Sequence, residues 1–301
     1  MRRLRLVEPP GRQGPGRVPA EAVAPLDLAL ARRAAGVLPG DRRAPGSGTG
    51  TELAQLQPYE PGDDPRFIDP AASARTGVTH VRRHVPERAM TTWIVIDVSP
   101  SMAFGTGLRL KSDVAEGVAE VVGSLAVRRG GSVALVTAGA GGDFVLPPRS
   151  GRGALAVLRR SVSAGVAPDE TDAPRSLSDA LGRLRRLAKA PGLVVVVSDL
   201  REDGWERPLR GLARRHGVIA VEVTDPREAS IPDVGVLTVV DPETGEQVEA
   251  DTSSAALRRA YAKAEAERRA TIALSLRRAG AAHVPVSTEG DWLRDLSKAL
   301  R

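Results

Sequence analysis

Beyond residue 91 the chain alternates short unbroken apolar runs with longer stretches in which apolar positions recur every three or four residues. The runs at 92–96, 132–137, 193–197, 218–223 and 282–286 have the length and continuity of strands buried on both faces. The periodic stretches at 108–129, 151–163, 175–190, 205–216, 253–279 and 292–300 predict helices, the last capped by Ser287 or Thr288. Residues 143–146 predict a hairpin partner for the second strand. Strands alternating with helices in this rhythm predict an α/β fold with a doubly wound, mostly parallel, Rossmann-like sheet. One stretch breaks the rhythm. VGVLTVVDPETGEQVEAD, at 234–251, has two strand-like runs around Asp241-Pro242-Glu243-Thr244-Gly245 and predicts an inserted β-hairpin over about 231–251.

Upstream the texture differs. Residues 1–48 are rich in Pro, Gly and Arg and predict a flexible, disordered arm with one weakly helical stretch at 20–36. Residues 49–91 contain the turn Pro61-Gly62-Asp63-Asp64 followed by alternating residues, and predict a separate segment packed on the α/β domain of 92–301. In that segment Asp63, Asp64, Arg66, Asp69 and Arg75 predict an ion-pair network that fixes a long loop. His80 and His84 lie four apart, a metal spacing on a helix, but VTHVRRHV alternates as a strand does.

Composition sharpens the picture. Hydrophobic residues make up 42% of the 301, yet aromatics only 3%, so the core must be aliphatic, as parallel strands under helices require. Cysteine is absent, which excludes disulfides, thiolate metal sites and thiol nucleophiles and fits a cytoplasmic location. No apolar run approaches the roughly 20 residues that a membrane-spanning helix needs, and no signal-peptide core follows the first arginines. The net charge is +6. Residues 1–50 hold nine Arg against four acidic residues, so the folded part is almost neutral. Nucleic-acid binding would therefore fall to the arm and weaken steeply with salt.

The sharpest chemistry lies in WIVIDVSPSMAFG. An apolar strand ends in Asp97, and Ser99 and Ser101 follow at two-residue spacing in a turn stiffened by Pro100. Ligand sites of open α/β sheets lie beyond the carboxyl ends of the strands, where these side chains fall. Carboxylate and hydroxyl oxygens are hard ligands suited to Mg²⁺ or Mn²⁺ and, with looser geometry, Ca²⁺. A second strand, LVVVV, runs into Ser198-Asp199, and Thr171 precedes a helix. Each has a plainer role: a turn tied by side-chain to backbone bonds for Asp97, Ser99 and Ser101, and helix caps for Asp199 and for Thr171 or Asp172.

YEPGDDPRFIDPAASARTG, Glu87-Arg88, the D-x-S-x-S-M turn, Thr171-Asp172, SDL at 198–200, DPRE at 225–228, DPETGE at 241–246 and LRRAY occur in one collinear order. This set resembles the domain-of-unknown-function family 58 over about residues 49–300. It departs from that family's usual pattern at Pro70, where an aromatic is common, and at Asp169-Glu170, where glycines precede the threonine. The family is similar to von Willebrand A domains, whose metal-ion-dependent adhesion site draws on D-x-S-x-S, a later Thr and a later Asp. The resemblance thus implies a von Willebrand A-type fold holding one divalent ion through Asp97, Ser99, Ser101, Thr171 and Asp199. It also implies a binding module rather than an enzyme, a partner or adaptor of a MoxR-type AAA+ ATPase that docks a partner's acidic residue on the ion. A metal-dependent, phosphatase-like hydrolase is the alternative. Against it, the sequence has no G-x-S-x-G elbow, Walker A loop or D-x-D pair at the first strand.

Overall fold

The computed structural model describes residues 14–16, 18, 26, 53–61, 63–84, 90–106, 109–139, 144–162, 176–240 and 247–299. The chain divides into two compact units, Pro39–Ala89 and the combination of Met1–Leu38 with Met90–Arg301.

In the smaller unit, β1 (Leu53–Pro58) pairs antiparallel with β2 (His80–His84), and α1 (Pro70–Thr76) lies between them in sequence. Its local signals are legible. Asp69 caps α1 by accepting from the Ala72 N–H at 2.9 Å, Pro70 opens the helix, and Gly77 closes it with φ of 72°. Of the residues expected to form an ion-pair network, Asp64 accepts from the Arg66 backbone and pairs with its guanidinium at 2.7 Å, whereas Asp63 accepts from the Glu60 N–H at 3.0 Å and Asp69 caps α1. His80–His84 form a strand rather than a helix, and the His80 ring bonds locally to the Val78 carbonyl at 2.7 Å.

The larger unit is built on a six-stranded sheet. Its strands are β3 (Thr91–Asp97), β4 (Ser132–Ala138), β5 (Val145–Ser150), β6 (Leu193–Ser198), β7 (Gly217–Thr224) and β10 (Ala282–Ser287), ordered β10-β7-β6-β3-β4-β5. All neighbours are parallel except β4 and β5. This is the doubly wound, mostly parallel sheet expected from the sequence. β5 carries Pro147 and Pro148, which cannot donate to a ladder and are tolerated because the strand sits at the edge.

Alternation of side chains along the strands divides the core in two. Ile94 and Ile96 face α2 (Lys111–Arg128), α3 (Arg152–Val162) and α7 (Trp292–Ala299), meeting Val118, Leu158 and Trp292. Trp93 and Val95 face the other way, toward α4 (Leu177–Leu187), α5 (Glu206–Ala213) and α6 (Ala255–Ala279), meeting Leu181, Leu212 and Leu276. Both faces are therefore covered, which is why β6 is apolar from Leu193 to Val197, with every residue of the strand buried. The predicted insertion is present as an antiparallel pair, β8 (Val236–Val240) and β9 (Gln247–Asp251).

Two sequence expectations change. The last helix is capped by Asp291, which accepts from the Arg294 N–H at 3.1 Å, whereas the Thr288 hydroxyl donates to Asp225 at 2.6 Å. A buried carboxylate captures Thr288 before the helix can use it. In the predicted flexible arm, Leu26, within the weakly helical stretch expected at 20–36, is helical and fully buried in the core of the larger unit. Nearby, the Gly14 N–H donates to Asp113 at 3.0 Å and the Pro15 carbonyl accepts from the Trp292 ring at 3.0 Å. Apolar burial of Leu26, the Asp113 acceptor and the Trp292 ring donor hold these positions, of which Gly14 and Pro15 lie in linker-like composition.

Candidate metal centre at the sheet switch point

The chain winds outward from β3 through β4 to β5, then returns to the other side of β3 for β6, β7 and β10. The winding reverses between β3 and β6, so their carboxyl ends bound the crevice in which open α/β sheets bind ligands. The register pairs Ile96 with Val197, and Asp97 and Asp199 follow at the two ends.

Three local features shape the first loop. Asp97 Oδ1 accepts from the Ser99 N–H at 2.9 Å, closing a tight turn after β3. The Val98 N–H continues the sheet to the Ala138 carbonyl at 2.8 Å. Gly139, at φ of 82°, lies where a Cβ would collide with the Ser99 backbone, so this loop fits against β4 only because residue 139 has no side chain. Ser99 and Ser101 then bring their hydroxyls to 3.1 Å from one another. From the second strand end, the Ser198 hydroxyl donates to Asp97 Oδ2 at 2.5 Å and accepts from the Leu200 N–H at 3.0 Å. Leu200 is buried and left-handed, with φ of 54°, a costly conformation for a bulky residue, and it turns the chain immediately after Asp199. Ser101 hydrogen-bonds Asp199, which links the two loops.

Electrostatics follow from burial. Asp97, Ser101 and Asp199 are all buried. Desolvation first, and the negative charge of Asp199 second, push the Asp97 carboxyl up to about 6 against the hydrogen bonds from Ser198 and Ser99. Asp199 suffers the same desolvation, but the charge and hydrogen bond of Lys111 outweigh it and hold the carboxyl below its ordinary range. Lys111 is fully buried, with Nζ 2.6 Å from Asp199 Oδ2 and 2.7 Å from Glu228 Oε1.

Sequence reasoning on the site omits Lys111, because a lysine opening a helix ordinarily reads as solvated. It also assigns no role to Ser198, Asp225 or Glu228, although SDL and DPRE contain them. Asp225 is fully buried and ties the rim together. It accepts from the Thr106 N–H at 2.8 Å, the Thr106 hydroxyl at 2.6 Å, the Thr288 hydroxyl at 2.6 Å and the Arg227 N–H at 2.9 Å.

Of the five predicted ligands, Asp97, Ser99, Ser101 and Asp199 lie together at the switch point. Thr171 lies outside the described residues. The donor set fits a hard cation, because two buried carboxylates repel one another beside two hydroxyl oxygens. Among the described residues no group of three or more His, Cys, Asp and Glu side chains is placed to hold a metal. A cation here would therefore depend on the serine oxygens.

Fold and cleft define the class: a doubly wound α/β domain with an oxygen-lined crevice at its switch point. The chain belongs to the family described as "Protein of unknown function DUF58", which matches residues 55–271. It is 36% identical over 284 residues to the uncharacterized protein Rv1480 of Mycobacterium tuberculosis, an alignment covering 92% of this chain and 87% of that one. It is likewise 37% identical over 163 residues to the uncharacterized protein MAV169 of Mycobacterium avium, covering 52% of this chain and 92% of that one. Among solved structures, the SpRpn10 VWA domain is similar over 69% of this chain and 93% of that chain, at 14% identity and a TM-score of 0.37. At that score the likeness assigns no role to any residue. Among the described residues no helix is long and apolar enough to cross a membrane.

Proposed function

We propose that this chain is a protein-interaction module that docks an acidic side chain of a protein partner on a divalent cation held at the switch point. Asp97, Ser99, Ser101 and Asp199 would hold the ion, with Thr171, ahead of α4 in the sequence, as the fifth ligand that the family resemblance implies. Mg²⁺ is the first candidate, with Mn²⁺ and Ca²⁺ as alternatives. When bound, the ion supplies an electrophile with a coordination place open to a partner's Asp or Glu. The chain's own residues do the positioning. The Ser99 N–H and the Ser198 hydroxyl orient the Asp97 carboxylate, while Ser101 and the Arg201 N–H orient Asp199.

The observation that carries the reading is the convergence of these four oxygen-bearing side chains from two loops about a hundred residues apart in the sequence. Binding without turnover is the better account of them, since both carboxylates are engaged in holding the loops. The family resemblance supports a MoxR-type AAA+ ATPase as the partner, with this chain as its adaptor.

The test is affinity capture of the full chain and of Asp97→Ala, each with Mg²⁺ and with chelator, followed by identification of bound proteins. The expected result is an AAA+ ATPase recovered with wild type in Mg²⁺ and lost in the other three arms. Equal recovery with Asp97→Ala would overturn the metal-dependent docking.

A further inference from the structure

Lys111 occupies a costly position. Its ammonium gives up water on burial, and as the first residue of α2 it also sits at the positive end of the helix dipole. Both penalties are met by two carboxylates that differ in what else they face. Glu228 is pinned: Oε2 accepts from the Asp225 N–H at 3.0 Å, and Oε1 lies 3.3 Å from Arg201 Nε. Asp199 is also tied to backbone, accepting from the Arg201 N–H at 3.2 Å, but it faces the cleft, where Ser101 bonds to it and Asp97 lies close enough to be repelled by its charge. The Phe104 ring, centred 5.9 Å from Nζ, adds a weaker attraction at the same point. A cation that belongs to the chain thus already occupies one oxygen that a divalent ion would need.

We propose that Lys111 is an internal counter-cation that competes with the divalent ion for Asp199, and that Glu228 is the resting place onto which the ammonium withdraws when the ion binds. The inference rests on reading the cleft as a cation site, and it adds a cost of entry set by the chain itself. Two cations cannot share Asp199 without repelling one another through a poorly screened interior. Binding of the ion is therefore coupled to a shift at the start of α2. The two partners of the ammonium then have opposite effects on affinity. Removing Lys111 frees Asp199 and tightens ion binding, whereas removing the charge of Glu228 leaves the ammonium on Asp199 and weakens it. General loss of stability would weaken binding in both variants.

The test is calorimetric titration of the full chain with Mn²⁺ alone, for wild type, Lys111→Met, Glu228→Gln and the double variant. Near-ultraviolet circular dichroism reports which of them are folded. The double variant removes both charges and so avoids stranding Glu228 in the interior if Lys111→Met fails to fold. Expected are Mn²⁺ affinities at least about tenfold tighter for Lys111→Met and the double variant, and weaker for Glu228→Gln. Unchanged or weaker affinity in folded variants lacking Lys111 would overturn the competition while leaving a wild-type cation site standing. Uptake by those variants but not by wild type would support the competition and count against docking through a metal in the native chain. No uptake by any of them would overturn both.

Discussion

Asp225 carries much of the rim, and its removal has a calculable cost. Substitution by Ala strips the acceptor from two backbone N–H groups, of Thr106 and Arg227, and from two hydroxyls, of Thr106 and Thr288. The hydroxyls can turn to other acceptors, but the two N–H groups are fixed by the backbone. Thr106 and Arg227 are exposed residues whose N–H groups water can reach, so each lost bond counts at its net worth of about 0.5–1.5 kcal/mol, hence about 1–3 kcal/mol for the two. Against the roughly 5–15 kcal/mol that stabilises a typical domain, that is a measurable share. Urea unfolding at neutral pH measures it. The pH dependence gives a second handle. Burial opposes the Asp225 charge, yet the hydrogen bonds from Thr106, Thr288 and Arg227 prevail and hold the folded carboxyl below its ordinary 3.8. A depressed carboxyl contributes stability that is present above 3.8 and lost as pH falls toward the folded value. Asp225→Asn therefore loses less on acidification than wild type does, so the gap between them narrows with falling pH. A cost below about 1 kcal/mol for Asp225→Ala, or an acid limb unchanged in Asp225→Asn, would refute the account of this carboxylate.

Three further outcomes follow from the same geometry. Gly139→Ala adds a Cβ against the Ser99 backbone at a left-handed position. It is expected to cost at least about 1–3 kcal/mol and to weaken ion binding, read by thermal unfolding with and without Mg²⁺; equal melting and equal response to the ion would contradict this. Asp97→Asn removes the repulsion between two buried carboxylates, so in chelator at neutral pH it should melt above wild type while gaining nothing from Mg²⁺; a lower melting point there would count against the charge argument. Phosphoester and peptide substrates incubated with the full chain and Mg²⁺ should give no turnover, and robust hydrolysis abolished by Asp97→Ala would replace docking by catalysis.

Much of this arrangement is legible in the sequence because it is local. WIVID and LVVVV read as buried strands from continuity alone, and the aspartate and serines that follow them fall at strand ends by necessity. The inserted hairpin announces itself through a break in the helix rhythm. The parts that are not legible depend on partners far along the chain. Lys111 meets Asp199 and Glu228 across 88 and 117 positions, and no periodicity identifies a buried lysine in advance. Thr288 likewise presents as a helix cap until Asp225, 63 residues earlier, claims its hydroxyl. Gly14 sits in a composition typical of linkers, and only Asp113 reveals that this position is held, while Leu26 lies in the weakly helical stretch but its burial in the core is not readable from that alone.

Binding of a divalent ion by the wild-type chain tests the central claim most directly. Electron paramagnetic resonance of Mn²⁺ added to purified protein counts bound ions without requiring a partner. One ion bound per chain, displaced by Mg²⁺ and absent in Asp97→Ala, is the predicted result. A spectrum of free Mn²⁺ for the folded wild type, or equal binding by Asp97→Ala, would contradict it.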